Sequence, residues 1–254
     1  MGEDRRSFLK LAGLAALCVA GKGPLSRFDS AAEASTGEAS KGIRRAMVVD
    51  LAKCLEEKDC KLCTEACHRA HNVPNVADPK HEVKWIWQEP FRDAFPDEGA
   101  PHVAEALTSR PALVFCNHCD NPPCARVCPT EATWKRPDGI VMMDWHRCIG
   151  CRYCMAACPY GSRSFNWEDP RPYVKQVNRD FPTRTKGVVE KCTFCDERLA
   201  RGEAPACVAA CKEKAMTCGN LNDPDSEVRR LLRSRFALRR KPALGTQPEV
   251  YYLV

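Results

Sequence analysis

The chain has 254 residues, a formal net charge of +6 and 44% hydrophobic residues, which suits one or two domains. Its 18 cysteines are a smaller share than marks a disulfide scaffold. After the N-terminal region no stretch is apolar enough to span a bilayer. We therefore expect a mature protein that is soluble, or held on a membrane only through partner proteins. No nucleotide-binding glycine motif, C-x-x-C-H haem motif or Ser/His/Asp constellation occurs. We therefore do not expect the chain to be a catalyst by itself.

The N-terminus has the pattern of an export signal. Residues 5–10 read R-R-S-F-L-K, which resembles the twin-arginine consensus. The apolar stretch over 11–20 is far shorter than the roughly 20 residues of a spanning helix, so it is typical of a signal peptide. Residues 32–34 supply an A-x-A cleavage site. We predict a twin-arginine signal peptide over 1–34, export of the folded protein, and a location on the periplasmic side of the cytoplasmic membrane.

Sixteen cysteines fall into four quartets. They are Cys54, Cys60, Cys63 and Cys67; Cys116, Cys119, Cys124 and Cys128; Cys148, Cys151, Cys154 and Cys158; and Cys192, Cys195, Cys207 and Cys211. The third quartet reads C-x2-C-x2-C-x3-C-P, the spacing of a bacterial [4Fe–4S] site. We therefore predict four [4Fe–4S] clusters, with iron as the only metal. Cys18 and Cys218 have no predicted role.

The quartets are expected to pair. In two-cluster ferredoxins the last cysteine of each motif ligates the other cluster, and the second and third quartets are close neighbours. By elimination, the first and fourth quartets form the other pair. The predicted ligands are Cys54, Cys60, Cys63 and Cys211 (site 1); Cys116, Cys119, Cys124 and Cys158 (site 2); Cys148, Cys151, Cys154 and Cys128 (site 3); and Cys192, Cys195, Cys207 and Cys67 (site 4).

Zinc is the main alternative metal, because C-x2-C pairs also bind it. A zinc ribbon uses two well-separated pairs, whereas here the third and fourth cysteines follow within one loop. The first quartet has five residues between Cys54 and Cys60, so its full occupancy stays open. Four clusters with their thiolates carry about −8 in total, which offsets the basic balance of the chain. We therefore expect no nucleic acid partner.

The fold class that these motifs predict is α+β. It contains two ferredoxin-like 2[4Fe–4S] units related by pseudo-two-fold symmetry, with loop-rich inserts and a C-terminal helix and tail. Residues 44–75 and 188–220 form the outer unit, and 76–109 form an insert. Residues 110–187 form the inner unit with its connecting loops, and 221–254 form the C-terminal helix and tail.

Three segments outside the quartets carry local signals. Residues 83–88 alternate in a strand-like period, and 161–187 read as loops and short hairpins. Asp223 is a candidate N-cap, with Pro224 at the first position of a helix. One face of that helix would carry Val228, Leu231, Leu232 and Phe236. Residues 248–254 are extended and apolar, and we expect them to lie on the body or on a partner.

The chain resembles the four-cluster iron–sulfur subunits of dimethyl sulfoxide reductase and polysulfide reductase type complexes. The residues that carry this resemblance are the four quartets in order and the strings G-V-V-E-K-C-T-F-C at 187–195 and N-P-P-C at 121–124. The resemblance implies the same pairing of quartets and a nearly linear row of clusters. Within the family the chain is most similar to the periplasmic DsrO subunits of DsrMKJOP complexes. The strings that carry this similarity lie at 67–74, 84–87, 244–246 and 250–252.

The resemblance implies an electron-transfer subunit of a membrane-bound oxidoreductase complex. Its expected partners are a membrane-integral quinone-reacting subunit, a multihaem c-type cytochrome and further redox subunits, through which it associates peripherally with the membrane. The complex would link the menaquinone pool to dissimilatory sulfur (sulfite/sulfate) metabolism. The second interpretation is the electron-transfer subunit of a periplasmic molybdopterin oxidoreductase, and a more remote one is a zinc-binding structural or assembly protein.

Overall fold

A computed structural model describes residues 42–54, 60–98 and 111–254. The predicted signal peptide, Cys18 and residues 99–109 of the predicted insert lie outside the described residues. The sixteen quartet cysteines all lie within them. The described chain is a mixed helix and strand structure, in agreement with the expected class.

The main sheet has four strands in the order β8–β1–β10–β9. They are β1 (Arg45–Asp50), β8 (Met216–Asn220), β9 (Ala237–Leu238) and β10 (Val250–Leu253). β1 pairs in parallel with β10 and antiparallel with β8. β1 is a continuous run of buried residues because both of its faces are covered. Met47 and Val49 face the main core, while Ala46 and Val48 pack with Val228.

The C-terminal segment is more than a surface tail. Residues 250–253 form the strand β10, which lies between β1 and β9 inside the main sheet. Val250, Tyr252 and Leu253 are buried. The sequence predicted an extended conformation for residues 248–254. It did not predict that β10 pairs with β1 inside the main sheet.

Three two-stranded sheets lie between and beside the quartets. They are β2 (Ile86–Pro90) with β3 (Pro111–Phe115), β4 (Thr133–Lys135) with β5 (Val141–Met143), and β6 (Ser164–Phe165) with β7 (Val189–Glu190). β4 and β5 separate the second and third quartets. The predicted alternation over 83–88 is only partly present, because the strand begins at Ile86 and both Trp85 and Ile86 are buried.

The helices are short. They are α1 (Leu51–Cys54), α2 (Leu62–Ala70), α3 (Phe91–Ala94), α4 (Pro123–Arg126), α5 (Tyr153–Ala156), α6 (Asp196–Leu199), α7 (Ala206–Ala210) and α8 (Glu227–Ser234). α2 packs on α7, and α4 packs on α5. Within residues 42–54, 60–98 and 111–254, no helix has both the length and the apolar character needed to cross a membrane.

The predicted C-terminal helix is present, but it starts later than expected. Its N-cap is Ser226, whose Oγ accepts the N–H of Arg229 at 3.3 Å. The Asp223 carboxylate instead accepts the N–H of Asp225 at 2.9 Å and closes a turn before the helix. Val228 is buried against β1, whereas Phe236 lies beyond the helix end and is 71% exposed. Placing Phe236 on the apolar face was therefore wrong.

Candidate iron–sulfur centres

The third and fourth cysteines of every quartet occupy one repeated local structure. The third cysteine is the second residue of a helix, and the fourth follows four residues later. The helices are α2, α4, α5 and α7, which begin one residue before Cys63, Cys124, Cys154 and Cys207. The x3 spacing therefore corresponds to one helical turn. The helices also pack in the expected pairs, α4 on α5 and α2 on α7.

The structure brings together the cysteines predicted for sites 1 and 3. One cavity is lined by Cys54, Cys60, Cys63 and Cys211, with Leu62 and Met216 among the other lining residues. A second is lined by Cys128, Cys148, Cys151 and Cys154. In each cavity three thiols come from one quartet and the fourth comes from its partner quartet.

The thiols assigned to site 2, and those assigned to site 4, also lie close enough to affect one another. Burial, and then the charges of Cys116, Cys124 and Cys158, raise the pKa of Cys119 to about 12. Burial, and then the charges of Cys192, Cys207 and Cys195, raise the pKa of Cys67 well above its usual range. Crowded, buried thiols of this kind cannot ionise together without a compensating cation. The donor set therefore fits iron.

Three pairs of thiols from different sites influence one another. Cys67 of site 4 lies close enough to Cys63 of site 1 for its pKa to respond to that thiol. Cys192 of site 4 responds in the same way to Cys116 of site 2. Cys154 of site 3 responds to Cys124 of site 2. The order along the molecule is therefore 1–4–2–3, with sites 1 and 3 at the ends.

Backbone N–H groups point at several of the sulfur atoms. Cys192 Sγ accepts from Phe194 N at 3.4 Å, and Cys195 Sγ accepts from Ala206 N at 3.3 Å. Cys211 Sγ accepts from Ala215 N at 3.3 Å. Such hydrogen bonds stabilise thiolates and are one of the means by which a protein sets cluster potentials. They also support the fit of the sites to an iron–sulfur cofactor.

Gly150 explains why the third loop can turn so tightly. It lies between Cys148 and Cys151, and its φ is +70°, a conformation that glycine adopts without strain. A Cβ at this position would also collide with the carbonyl oxygen of Gly187. The loop of the third quartet therefore packs directly on the chain that leads to the fourth.

Two buried cations lie beside the cysteine sites. Arg163 lies near Cys124 and Cys154. Burial by itself would lower the pKa of Arg163, but the charges of the nearby thiols leave it raised. Lys191 is wholly buried, and its Nζ donates to the carbonyl oxygens of Cys192, at 2.6 Å, and of Val141. Sequence reasoning missed both side chains as part of the sites, because nothing in their spacing distinguishes them from surface cations.

His71 links the two segments that supply site 4. Its Nδ1 lies 2.9 Å from the carbonyl oxygen and 3.7 Å from Sγ of Cys67, and its Nε2 lies 3.0 Å from Glu197 Oε1. The ring stacks on Trp85 at 4.9 Å. Burial raises the pKa of Glu197, but the interactions with His71, the backbone hydrogen bond and the charge of Arg201 together leave the pKa lowered. His71 therefore positions Cys67 against the loop that carries Cys195.

Site 3 lies at the surface. Cys151 is exposed, whereas the other fifteen quartet cysteines are buried or partly buried. Its neighbours Ile149 and Tyr153 are 67% and 65% exposed, although both are large apolar side chains. Arg147 and Arg152, which are neighbours in the chain of Cys148 and Cys151, are also exposed. The loop that carries Cys151 therefore exposes both apolar and basic side chains.

Comparison with known proteins places the chain in a family. The sequence profile of the 4Fe–4S dicluster domain matches residues 112–175, which contain the second and third quartets. The chain is 42% identical to the Hdr-like menaquinol oxidoreductase iron–sulfur subunit 1 of Archaeoglobus fulgidus, over 98% of this chain and 97% of that protein. It is 36% identical to one of the subunits of the tetrathionate reductase of Salmonella typhimurium, over 100% and 89%.

A third relative is the iron–sulfur cluster-binding subunit of the menaquinone reductase of Nitratidesulfovibrio vulgaris. The identity is 36%, over 83% of this chain and 89% of that protein. The sites and these similarities define an iron–sulfur electron-transfer subunit. The chain belongs to the family of 4Fe–4S ferredoxin-type iron–sulfur subunits of oxidoreductase complexes.

Proposed function

We propose that this chain is a wire of four [4Fe–4S] clusters, held at sites 1 to 4 by the sixteen cysteines assigned above. The observation that carries the proposal is the set of four groups of thiols, linked in the order 1–4–2–3. The repeated helix positions support two ferredoxin-like units related by pseudo-two-fold symmetry. When bound, each cluster supplies a one-electron couple. The protein residues hold the thiolates, exclude water from sites 2 and 4 and donate hydrogen bonds to sulfur.

We propose that site 3 exchanges electrons with a partner. An exposed ligand, Cys151, at the end of the row gives a short path to the surface. The apolar side chains of Ile149 and Tyr153 suit a protein interface, and the exposed Arg147 and Arg152 favour an acidic partner surface. A single exposed Ile or Tyr is common on protein surfaces, but here both flank the exposed ligand.

The resemblance and the names of the relatives support the physiological partners that we propose. Two relatives belong to a menaquinol oxidoreductase and to a menaquinone reductase. These names support a membrane-integral quinone-reacting partner. The DsrO-like strings support a multihaem c-type cytochrome and a role in dissimilatory sulfur metabolism. The R-R-S-F-L-K string supports twin-arginine export to the periplasmic side.

The second candidate is the electron-transfer subunit of a periplasmic molybdopterin oxidoreductase. A specific observation favours it, because the tetrathionate reductase relative is 36% identical to this chain and a selenate reductase relative from Mesobacillus selenatarsenatis is 39% identical. Both candidates share the same wire and differ only in the partner at one end.

Mass spectrometry of the native complex, gently solubilised and purified through this chain, separates the two candidates. A multispan quinone-site protein with a c-type cytochrome is the expected result. A large molybdopterin subunit would instead assign the wire to a reductase or dehydrogenase.

The variant Arg147→Glu tests the surface over site 3, because it should weaken retention of one partner subunit. Arg230→Glu on the exposed side of α8 is the comparison, and loss of a partner only in that variant would place the interface on α8.

A further inference from the structure

Arg163 is a buried cation between two sites of the proposed wire. Its side chain is 4% exposed. Nη1 donates to Thr133 Oγ1 at 3.0 Å and lies 3.8 Å from Met143 Sδ. Nη2 is buried and has no hydrogen-bond partner among the described residues. No carboxylate of residues 42–54, 60–98 or 111–254 forms an ion pair with it.

The groups that face the guanidinium are thiols from two different sites. Cys124 and Cys116 belong to site 2, and Cys154 belongs to site 3; these are the charges that act on Arg163 most strongly. Arginine keeps its proton in proteins, so the positive charge is permanent. A buried charge without a carboxylate is costly unless something else compensates it. The thiolates of sites 2 and 3 are the compensating groups that the structure offers.

We propose that Arg163 is a potential-tuning residue that raises the reduction potentials of both site 2 and site 3. The inference rests on the proposed function, since it requires clusters at these two sites. Reduction adds negative charge, and a nearby buried cation in a medium of low dielectric stabilises the reduced form. Thr133 and Met143, the two neighbours of the guanidinium, line the site 3 cavity, and its charge also reaches Cys124 and Cys116 of site 2, so it acts on the two potentials together. Arg163 therefore makes reduction more favourable at sites 2 and 3, the end of the wire that leads to the surface.

The test is a redox titration of anaerobically purified holoprotein, followed by electron paramagnetic resonance. Arg163→Gln removes the charge, and Arg163→Lys keeps it. We expect Arg163→Gln to lower two of the four potentials, with at least a tenfold fall in the ratio of reduced to oxidised cluster at a fixed potential, which is about 59 mV for a one-electron couple. Arg163→Lys should keep most of the wild-type values. Arg171→Gln removes an exposed arginine paired with Asp169, and it should leave all four potentials unchanged.

A second variant covers the case in which Arg163→Gln loses iron. Thr133→Asp leaves the arginine in place and puts a carboxylate beside it, so it should lower the same two potentials. Unchanged potentials in variants with full iron content would overturn the inference, and so would an equal fall in Arg163→Lys and Arg163→Gln. Iron and sulfide content of the wild-type protein tests the proposed function separately. If sites 2 and 3 lack clusters in the wild type, that function fails first.

Discussion

Arg184 and Glu190 form an ion pair of 2.6 Å between Nη2 and Oε2, and both side chains are almost completely buried. The carboxylate also accepts from Trp85 Nε1 at 3.0 Å and from Asn166 Nδ2 at 2.6 Å. The guanidinium donates to the carbonyl oxygens of His71 and Asn72. The pair therefore joins the chain that follows Cys67 to the strand that precedes Cys192, the two segments from which site 4 is built.

Glu190→Gln should weaken site 4 more than the others. The change leaves the Arg184 charge buried without its counter-ion, and breaking a buried pair in this way costs about 3–5 kcal/mol. We expect a lower thermal midpoint by circular dichroism and iron loss of about four atoms per chain. Arg171→Gln, at the exposed pair with Asp169, is the control and should change neither quantity. Full iron content with an unchanged thermal midpoint in Glu190→Gln would show that the Arg184–Glu190 pair does not support site 4.

Cys151→Ala should abolish or damage one cluster and leave the other three. Cys151 lines the site 3 cavity, and each proposed cluster uses four thiolates. Cys218→Ala is a matched control, because Cys218 is a partly buried cysteine of β8 outside all four quartets. The readouts are iron content and the number of couples in a redox titration. If the Cys151 variant keeps all four couples, the ligand assignment is wrong.

Removal of iron should unfold the helices that carry the quartets before it disturbs the main sheet. α4, α5 and α7 have four or five residues each, far below the length at which a helix is stable alone. Their order is therefore coupled to metal binding. Anaerobic treatment with a strong iron chelator should cut helical circular dichroism, while amide protons of β1 keep more protection. Retention of the full helical signal after complete iron loss would contradict this coupling.

Ser226→Ala should destabilise the protein by about 1 kcal/mol, because it removes the cap of α8. Asp223→Ala is the comparison, since Asp223 closes only the preceding turn. The thermal midpoints of the two variants give the measurement. A larger loss in Asp223→Ala than in Ser226→Ala would mean that the helix starts nearer to Pro224.

The sequence was most informative where spacing dictates geometry. The three-residue spacing between the third and fourth cysteines predicted that the fourth cysteine would face another site. In α2, α4, α5 and α7 this spacing corresponds to one helical turn. The structure brings thiols of the first and fourth quartets together, and those of the second and third. Such spacing works because a cluster imposes the same local requirement on each loop.

Tertiary features were less accessible. The buried charges of Arg163, Lys191, Arg184 and Glu190 look like ordinary surface residues in the sequence, since burial of a charge depends on partners distant in the chain. The position of β10 inside the sheet depends on its pairing with β1, about 200 residues earlier. The start of α8 depended on the competition of two side chains for backbone N–H groups.

The most direct test of the central claim is iron and acid-labile sulfide analysis of anaerobically purified protein, with zinc measured in the same sample. Four [4Fe–4S] clusters predict about sixteen irons and about sixteen sulfides per chain, with little zinc. About twelve irons would contradict the fourfold wire and would point to site 1, whose first loop is lengthened. Zinc without labile sulfide would contradict the electron-transfer function altogether.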